Sequence, residues 1–333
     1  MSERSVLVVG GTGFLGRRIA DAFLHAGFSV SVLSRGERDH GSNPQVEHLY
    51  ADRHDQVSME KSLRARTFDV VADNIAYDPQ DAASLLALLD GRAGRYLLTS
   101  STAVYAERFT RRPIRETDAD LSVRAPVDAP NPFHSRLGHA YANGKRGVEE
   151  VVRQSRLAWT ILRPPVILGA DDRTNRVWWF VQRLLDGGPI VIPDWGPGRI
   201  FQVAWTEDLA RAFVAAAQKP AAIGKTYNVA QAEIYTAASW ISACARMLGV
   251  EPRYVHIPET ALPDAHLEAY ALPIAGRPFG HMLLDLSAIR CDLAFEPSPE
   301  SAWLAATIQG CAANPPATPS PGYDRRAMET QVR

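Results

Sequence analysis

The run Val6-Leu-Val-Val9 is apolar at every position, and Asp69-Val-Val-Ala72 is nearly so. A strand with one wet face alternates polar and apolar side chains, whereas one apolar at successive positions is buried on both faces. Such strands need helices above and below them, which implies a parallel sheet joined by crossover helices. The pattern persists from residue 5 to about 163. Strands are read at 5–10, 28–33, 46–50, 69–75, 95–100 and 159–162, and amphipathic helices at 14–26, 80–89 and 135–154. The fold class is therefore α/β, a doubly wound parallel Rossmann sheet.

After Arg163 the chain is broken by Pro164, Pro165, Gly169, Gly187, Gly188 and Pro189. A helix is read at 177–185, a strand at 200–204, and a strong helix at 207–218 with Thr206 as its N-cap. Strands follow at 225–229 and 254–257, and a helix at 236–248 stops at Gly249. The division expected is a dinucleotide-binding domain over 1–165, rejoined by 200–230. A smaller C-terminal α/β substrate domain takes 166–199 and 231–311. The tail, 312–333, contains Asn314-Pro-Pro-Ala-Thr-Pro-Ser-Pro-Gly322 and reads as disordered or draped on the surface.

Composition narrows the function classes. With a formal net charge of −1, the 333-residue chain has no global attraction to nucleic acid or an anionic membrane. The three cysteines are scattered and lack metal-ligand spacing, and the nine histidines form no cluster, so neither a disulfide framework nor a metal is expected. No signal peptide or membrane span is read, which makes the cytoplasm the expected location. A small-molecule substrate and a monomer or homodimer are the expected partners.

Gly10-Gly-Thr-Gly13-Phe14-Leu15-Gly16 lies between a buried strand and a helix. Glycine there lets backbone N–H groups approach a pyrophosphate, and the helix start adds its partial positive charge. Gly16 lets the helix pack closely. The spacing is G-x-x-G-x-x-G. With Asp52 in Ala-Asp-Arg-His-Asp, Tyr96-Leu-Leu-Thr-Ser-Ser-Thr-Ala-Val-Tyr105, Tyr141-Ala-Asn-Gly-Lys145, Arg163-Pro-Pro-Val-Ile-Leu-Gly169 and Phe201-Gln-Val-Ala-Trp-Thr-Glu-Asp208, the chain resembles the extended short-chain dehydrogenase/reductases. That branch includes nucleotide-sugar epimerases and dehydratases, and the resemblance covers about 5–305.

The resemblance implies that Gly10, Gly13, Phe14, Leu15 and Gly16 meet the cofactor phosphates. Asp52 and its neighbour Arg53 would approach the adenine, with Asn74, Ile75 and Ala76 lining the ribose. For Asp52 a plain turn-forming role stays open. The second strand ends in Ser34-Arg35-Gly36 in place of an acid, which suits a 2′-phosphate and favours NADP, with NAD as the alternative. Glu37 counts against this, but it follows Gly36 and is expected to turn away.

Tyr141 and Lys145 stand four apart and share a helix face. A free tyrosine is too weak a base near neutrality, and a lysine charge at about 4 Å supplies a shift of the size required. By resemblance Ser101 holds the reacting oxygen, next to Thr99 at the strand end and Thr102. For Ser101 a capping role is the alternative. Pro164, Pro165 and Val166 would pack on the nicotinamide. Trp178, Trp179, Trp195, Trp205 and Arg199 fall where such proteins build the substrate pocket, with core packing the alternative for most of the aromatics. The arginine-rich stretch between Tyr105 and Tyr141, including Arg108, Arg111, Arg112, Arg115, Arg124 and Arg136, is either a surface loop or a lid.

Three functions compete. The first is a net NADP-dependent reductase or dehydrogenase. The second is a nucleotide-sugar epimerase or dehydratase with internal redox. The third is a non-catalytic sensor or RNA-associated protein, which would not need Ser101, Tyr141 and Lys145.

Overall fold

The computed structural model describes residues 4–37, 43–106, 112–125, 138–194, 199–261 and 282–332. Its strands are β1 (Ser5–Val9), β2 (Ser29–Ser34), β3 (Val46–Tyr50), β4 (Phe68–Asp73), β5 (Ala93–Thr99), β6 (Ala158–Arg163), β7 (Val166–Leu168), β8 (Ile190–Asp194), β9 (Val203–Trp205), β10 (Lys225–Asn228) and β11 (Tyr254–Pro258). The helices are α1 (Phe14–His25), α2 (Gln56–Leu63), α3 (Pro79–Leu88), α4 (Gly138–Gln154), α5 (Arg176–Leu185), α6 (Thr206–Gln218), α7 (Ala237–Leu248), α8 (Ser287–Leu293), α9 (Glu300–Ala313) and α10 (Arg326–Glu329).

Among the described residues a seven-stranded sheet runs in the order β10-β6-β5-β4-β1-β2-β3. Every pair in it is parallel. β1 has β2 on one side and β4 on the other, so the winding reverses there and a crevice opens at the carboxyl ends of these strands. The apolar run in β1 serves both faces. Val6 and Val8 pack with Ile19 and Phe23 of α1 and Leu209 and Phe213 of α6. Leu7 and Val9 pack with Leu63, Leu85 and Val148 on the other side.

A further core joins Leu168, Phe180, Trp240 and Trp303, with β7 paired to β9 and β8 to β11 nearby. Thr236 and Ser239 cap α7 reciprocally, and Gly249 ends it with φ 67°. No helix among the described residues is long and apolar enough to cross a membrane.

Three local readings are corrected. α2 had no counterpart in the sequence reading, because only Met59 and Leu63 of its residues are buried and the apolar pattern is faint. Thr206 does not cap α6. It is the first helical residue, and its hydroxyl donates to Glu207 Oε2 at 2.6 Å.

The tail after residue 312 is not disordered, since its end is pulled in by charge. Glu329 accepts from Arg183 Nε at 2.9 Å and Nη2 at 2.7 Å, and Arg326 bridges Asp186 and Glu329. A guanidinium as buried as that of Arg183 requires such a partner.

Candidate active site

The crevice above β1 begins with the glycine turn. Gly10 takes φ 79°, and a Cβ there would lie 2.6 Å from Ile75 Cγ2. A Cβ at Gly16 would overlap the Gly10 carbonyl oxygen, so glycine lets α1 start against the loop itself. Gly13 is the N-cap of α1 and supplies no side-chain bond, which leaves first-turn N–H groups such as those of Leu15 and Gly16 for a ligand. Phe14 reaches across to Gly169, where a Cβ would lie 3.1 Å from its ring. These residues fit a dinucleotide pyrophosphate.

Gly10, Gly13, Ser34, Arg35, Glu37 and Asp52 line one pocket. Glu37 has not turned away, because a salt bridge of 2.9 Å joins it to Arg35. Gly36, with φ 77°, makes the turn that allows this, and its N–H donates to Ser34 Oγ at 3.3 Å. Asp52 is used as a turn residue, accepting from the His54 N–H at 3.0 Å, while still facing the pocket. Arg53 also lines this pocket, with its guanidinium anchored on the protein's own groups. It donates to both carboxylate oxygens of Asp73 at 3.0 and 3.1 Å and to the Asp81 carbonyl at 2.8 Å.

The reactive end lies where β4 and β5 finish against α4. Lys145 is buried, and its Nζ donates to the carbonyls of Ala76 at 2.8 Å and Thr99 at 2.9 Å. Thr99 Oγ1 donates to Asn74 Oδ1 at 3.0 Å, which ties the two strand ends together. Gly144 is part of the geometry, since a Cβ there would overlap the Tyr77 carbonyl oxygen. Glycine lets α4 close on this loop and brings Lys145 into reach.

Ser101 is used as a cap. Its Oγ accepts from the Ala103 N–H at 3.1 Å, and it is close enough to the Tyr141 phenol to pull against the rise of its pKa. Thr102 is buried, with its N–H donated to the Pro164 carbonyl at 3.0 Å. Pro164 is buried and Val166 half-buried beside it.

The electrostatics differ from expectation. Burial pushes the Tyr141 phenol up to about 12, against the smaller downward pulls of Ser101 and the Arg176 charge. The Lys145 ammonium faces carbonyls and sits 5.7 Å from the Tyr141 ring centroid, so in the protein alone it does not lower the phenol as expected. Burial pushes Lys145 itself down to about 8, with Asp73 and Glu149 opposing. Tyr77, absent from the sequence reading, covers Lys145 with its ring centroid 4.8 Å from Nζ and tilts against Tyr141 at 6.3 Å.

A buried network behind the site was also missed. Glu149 accepts from Arg163 Nε at 2.8 Å, Arg163 Nη2 at 2.6 Å and Ser100 Oγ at 2.6 Å. Arg163 donates further to Tyr105 at 2.9 Å, and Arg146 donates to the carbonyls of Val104 and Ala106 at 3.0 and 2.8 Å. Together they lock α4 to the turn that carries Ser101. The spacing Tyr141, Lys145, Glu149 held the signal, since all three share one helix face.

Within the arginine-rich stretch, Arg108, Arg111 and Arg136 lie outside the described residues. Arg112 pairs with Asp118, Arg115 with Asp285 and Arg124 with Glu150, so these guanidiniums serve the protein's own acids. Trp179 is core, and Trp195 lies outside the described residues. Trp178 is half-buried against the second core, and its Nε1 is buried with no hydrogen-bond partner among the described residues. Arg199 is half-buried just ahead of Phe201, which bridges Tyr235.

A glycine turn under a doubly wound sheet, with a tyrosine and a lysine on the helix beside it, defines a short-chain dehydrogenase/reductase fold. The sequence pattern of the NAD dependent epimerase/dehydratase family matches residues 6–230, and the chain belongs to that family. It is 28% identical over 269 residues to the chloroplast stem-loop binding protein of 41 kDa b of Arabidopsis thaliana, covering 77% of this chain. The chain spans 66% of the length of that relative.

Among solved structures it resembles the UDP-glucose 4-epimerase of Thermotoga maritima with UDP-glucose, at TM-score 0.71 and 18% identity over 93% of this chain and 99% of that one. It also resembles the Bordetella bronchiseptica enzyme WbmH in complex with NAD+, at TM-score 0.69 and 17% identity over 94% and 99%. At these identities the likeness is one of fold.

Proposed function

We propose that the chain is an NAD(P)-dependent oxidoreductase of the short-chain type. It would act on a keto or hydroxyl carbon of a small or sugar-like metabolite. The observation that carries this reading is the convergence of Ser101, Tyr141 and Lys145 beside the crevice above β1. A bound nicotinamide supplies the hydride acceptor or donor. Tyr141 holds the proton at the substrate oxygen, and Ser101 orients that oxygen. Lys145 has three donors, two of them spent on carbonyls, and the third is assigned to the cofactor ribose.

A phenol pushed up to about 12 keeps its proton at neutrality, which suits the acid role in a net reduction. Ser34 and Arg35 support NADP as the cofactor of that reduction. For its 2′-phosphate to bind, Glu37 has to release Arg35, and with the pair closed NAD is the better fit.

The likeness in fold to a UDP-glucose 4-epimerase favours a second reading, epimerisation or dehydration of a nucleotide sugar with internal redox. The test is to identify the nucleotide that copurifies, then follow nicotinamide absorbance as ketones and nucleotide sugars are supplied. Net NADPH consumption supports the first reading, and conversion of a sugar without net consumption supports the second. Cofactor binding with no turnover of either kind would sink both and leave the non-catalytic role.

A further inference from the structure

A buried ammonium is costly unless something takes the place of water around it. Lys145 is buried, and among the described residues no carboxylate pairs with it. The acids that face it are spent on other groups. Asp73, at the end of β4, holds Arg53 and the Tyr96 hydroxyl. Glu149, one turn along α4, holds Arg163. Asp81, on α3, accepts from the N–H groups of Tyr77 and Asp78 and lies 3.3 Å from Arg53 Nε. Arg53 itself, just ahead of α2, opposes the Lys145 charge. What Nζ touches directly is the pair of carbonyls of Ala76 and Thr99, and both are neutral.

Tyr77 supplies what is missing. Its ring centroid lies 4.8 Å from Lys145 Nζ, inside the roughly 6 Å reach of a cation–π contact. The Tyr141 ring is farther away, at 5.7 Å. A fixed backbone carries the Tyr77 ring. The Tyr77 N–H donates to Asp81 Oδ2 at 2.8 Å, and its carbonyl lies against Gly144, the residue before Lys145. No hydrogen bond among the described residues uses the Tyr77 hydroxyl, so the contact is made by the ring.

Tyr77 is also more than half exposed, and it lines the pocket of Gly10, Gly13, Arg35 and Asp52. It therefore stands where the cofactor crevice meets the reactive end.

We infer that Tyr77 is a positioning residue whose ring, in place of a carboxylate, holds the Lys145 ammonium charged at the inner end of the cofactor crevice. A carboxylate would claim the third N–H of Lys145 in an ion pair. A ring face steadies the charge without a directed hydrogen bond, so that N–H stays available to a ribose. The functional meaning rests on the proposed role of Lys145, while the ring contact itself can be tested in the chain alone.

The sequence has four lysines, and Lys61, Lys219 and Lys225 are exposed. With an isotope label at lysine Cε, NMR follows each of them against pH in the full chain without cofactor, and Lys145→Arg identifies the buried signal. In the wild type Lys145 is expected to titrate near 8. Tyr77→Phe keeps the ring and should leave that midpoint in place. Tyr77→Leu keeps most of the bulk and loses the π face. Its midpoint should fall by about one pH unit, the worth of a desolvated cation–π contact. The signals of the three exposed lysines should coincide in every variant.

If Tyr77→Leu does not fold, a ring-fluorinated phenylalanine introduced at position 77 decides the matter, because it keeps the shape and weakens the negative face. Its midpoint should fall below that of Tyr77→Phe. A midpoint that stays put or rises in the folded leucine variant, or that ignores the fluorines, overturns the inference and leaves Tyr77 as packing. An equal fall in Tyr77→Phe and Tyr77→Leu overturns it too, because the hydroxyl would then be the active part. The titration needs neither cofactor nor turnover, so its failure and the failure of the hydride-transfer reading are told apart.

Discussion

Arg35 Nη2 lies 2.9 Å from Glu37 Oε2, and both side chains are more than half exposed, at 56% and 58%. An exposed pair of this kind contributes little, so a ligand phosphate can displace it. Glu37→Gln is expected to raise NADP affinity by about two- to five-fold, matching the modest worth of the pair. Arg35→Ala should lower NADP affinity by about ten-fold or more, the scale of one charged hydrogen bond, with little change for NAD. Cofactor titration of the two variants and the wild type checks this. NADP affinity that ignores both substitutions would remove Arg35 from the site.

Tyr141→Phe deletes one hydroxyl and little volume. Turnover should fall by a factor on the order of 10²–10⁴, the usual worth of a positioned acid or base, while cofactor binding persists. Near wild-type turnover at saturating cofactor would mean the proton comes from elsewhere.

Burial holds Lys145 at about 8 against its free value of 10.5. Between those values the unfolded chain binds more protons than the folded one, so this group's contribution to stability rises with pH across that window. The cost of burying the charge is fully present below about 8 and is relieved toward 10.5. Lys145→Met removes this pH-dependent cost and adds a constant loss for the carbonyls of Ala76 and Thr99. Relative to wild type, the variant should therefore look most favourable near neutrality and lose ground as pH rises. Urea midpoints measured across the window check this, and a constant gap between the two proteins would contradict it.

Glu329→Ala leaves Arg183 buried without its carboxylate, and Arg326 without one of its two. A loss of about 3–5 kcal/mol in stability is expected, as for other broken buried pairs. The double replacement Arg183→Met, Glu329→Leu should recover much of it, since apolar residues of similar size carry no desolvation cost. Denaturant unfolding of the three proteins checks both expectations. A single variant as stable as wild type would make the tail an ornament.

The features legible in the sequence were those carried by neighbours in the chain. The double-faced apolar runs located the parallel sheet, and the glycine turn located the crevice. Tyr141 and Lys145 were legible because they share a helix face. What escaped depends on partners far away. Nothing near Arg53 in the chain announces that Asp73 and Asp81 anchor its guanidinium at the edge of the pocket it shares with Asp52. The proline-rich tail reads as disordered because composition cannot reveal that Glu329 meets Arg183, 146 positions upstream. The rise of the Tyr141 phenol likewise comes from burial, which no spacing rule encodes.

The pairing of α1 with α6 has a consequence for how the chain is made. Leu15, Ile19 and Phe23 of α1 are covered by Leu209 and Phe213, and α6 starts about 180 residues after α1 ends. At roughly 5–20 residues per second, a ribosome takes on the order of ten seconds or more to deliver that cover. The part of the first helix's greasy side that α6 covers stays bare through much of translation. Chaperone dependence during synthesis is the expected cost, and a chain stalled before α6 should aggregate where the released full-length protein does not.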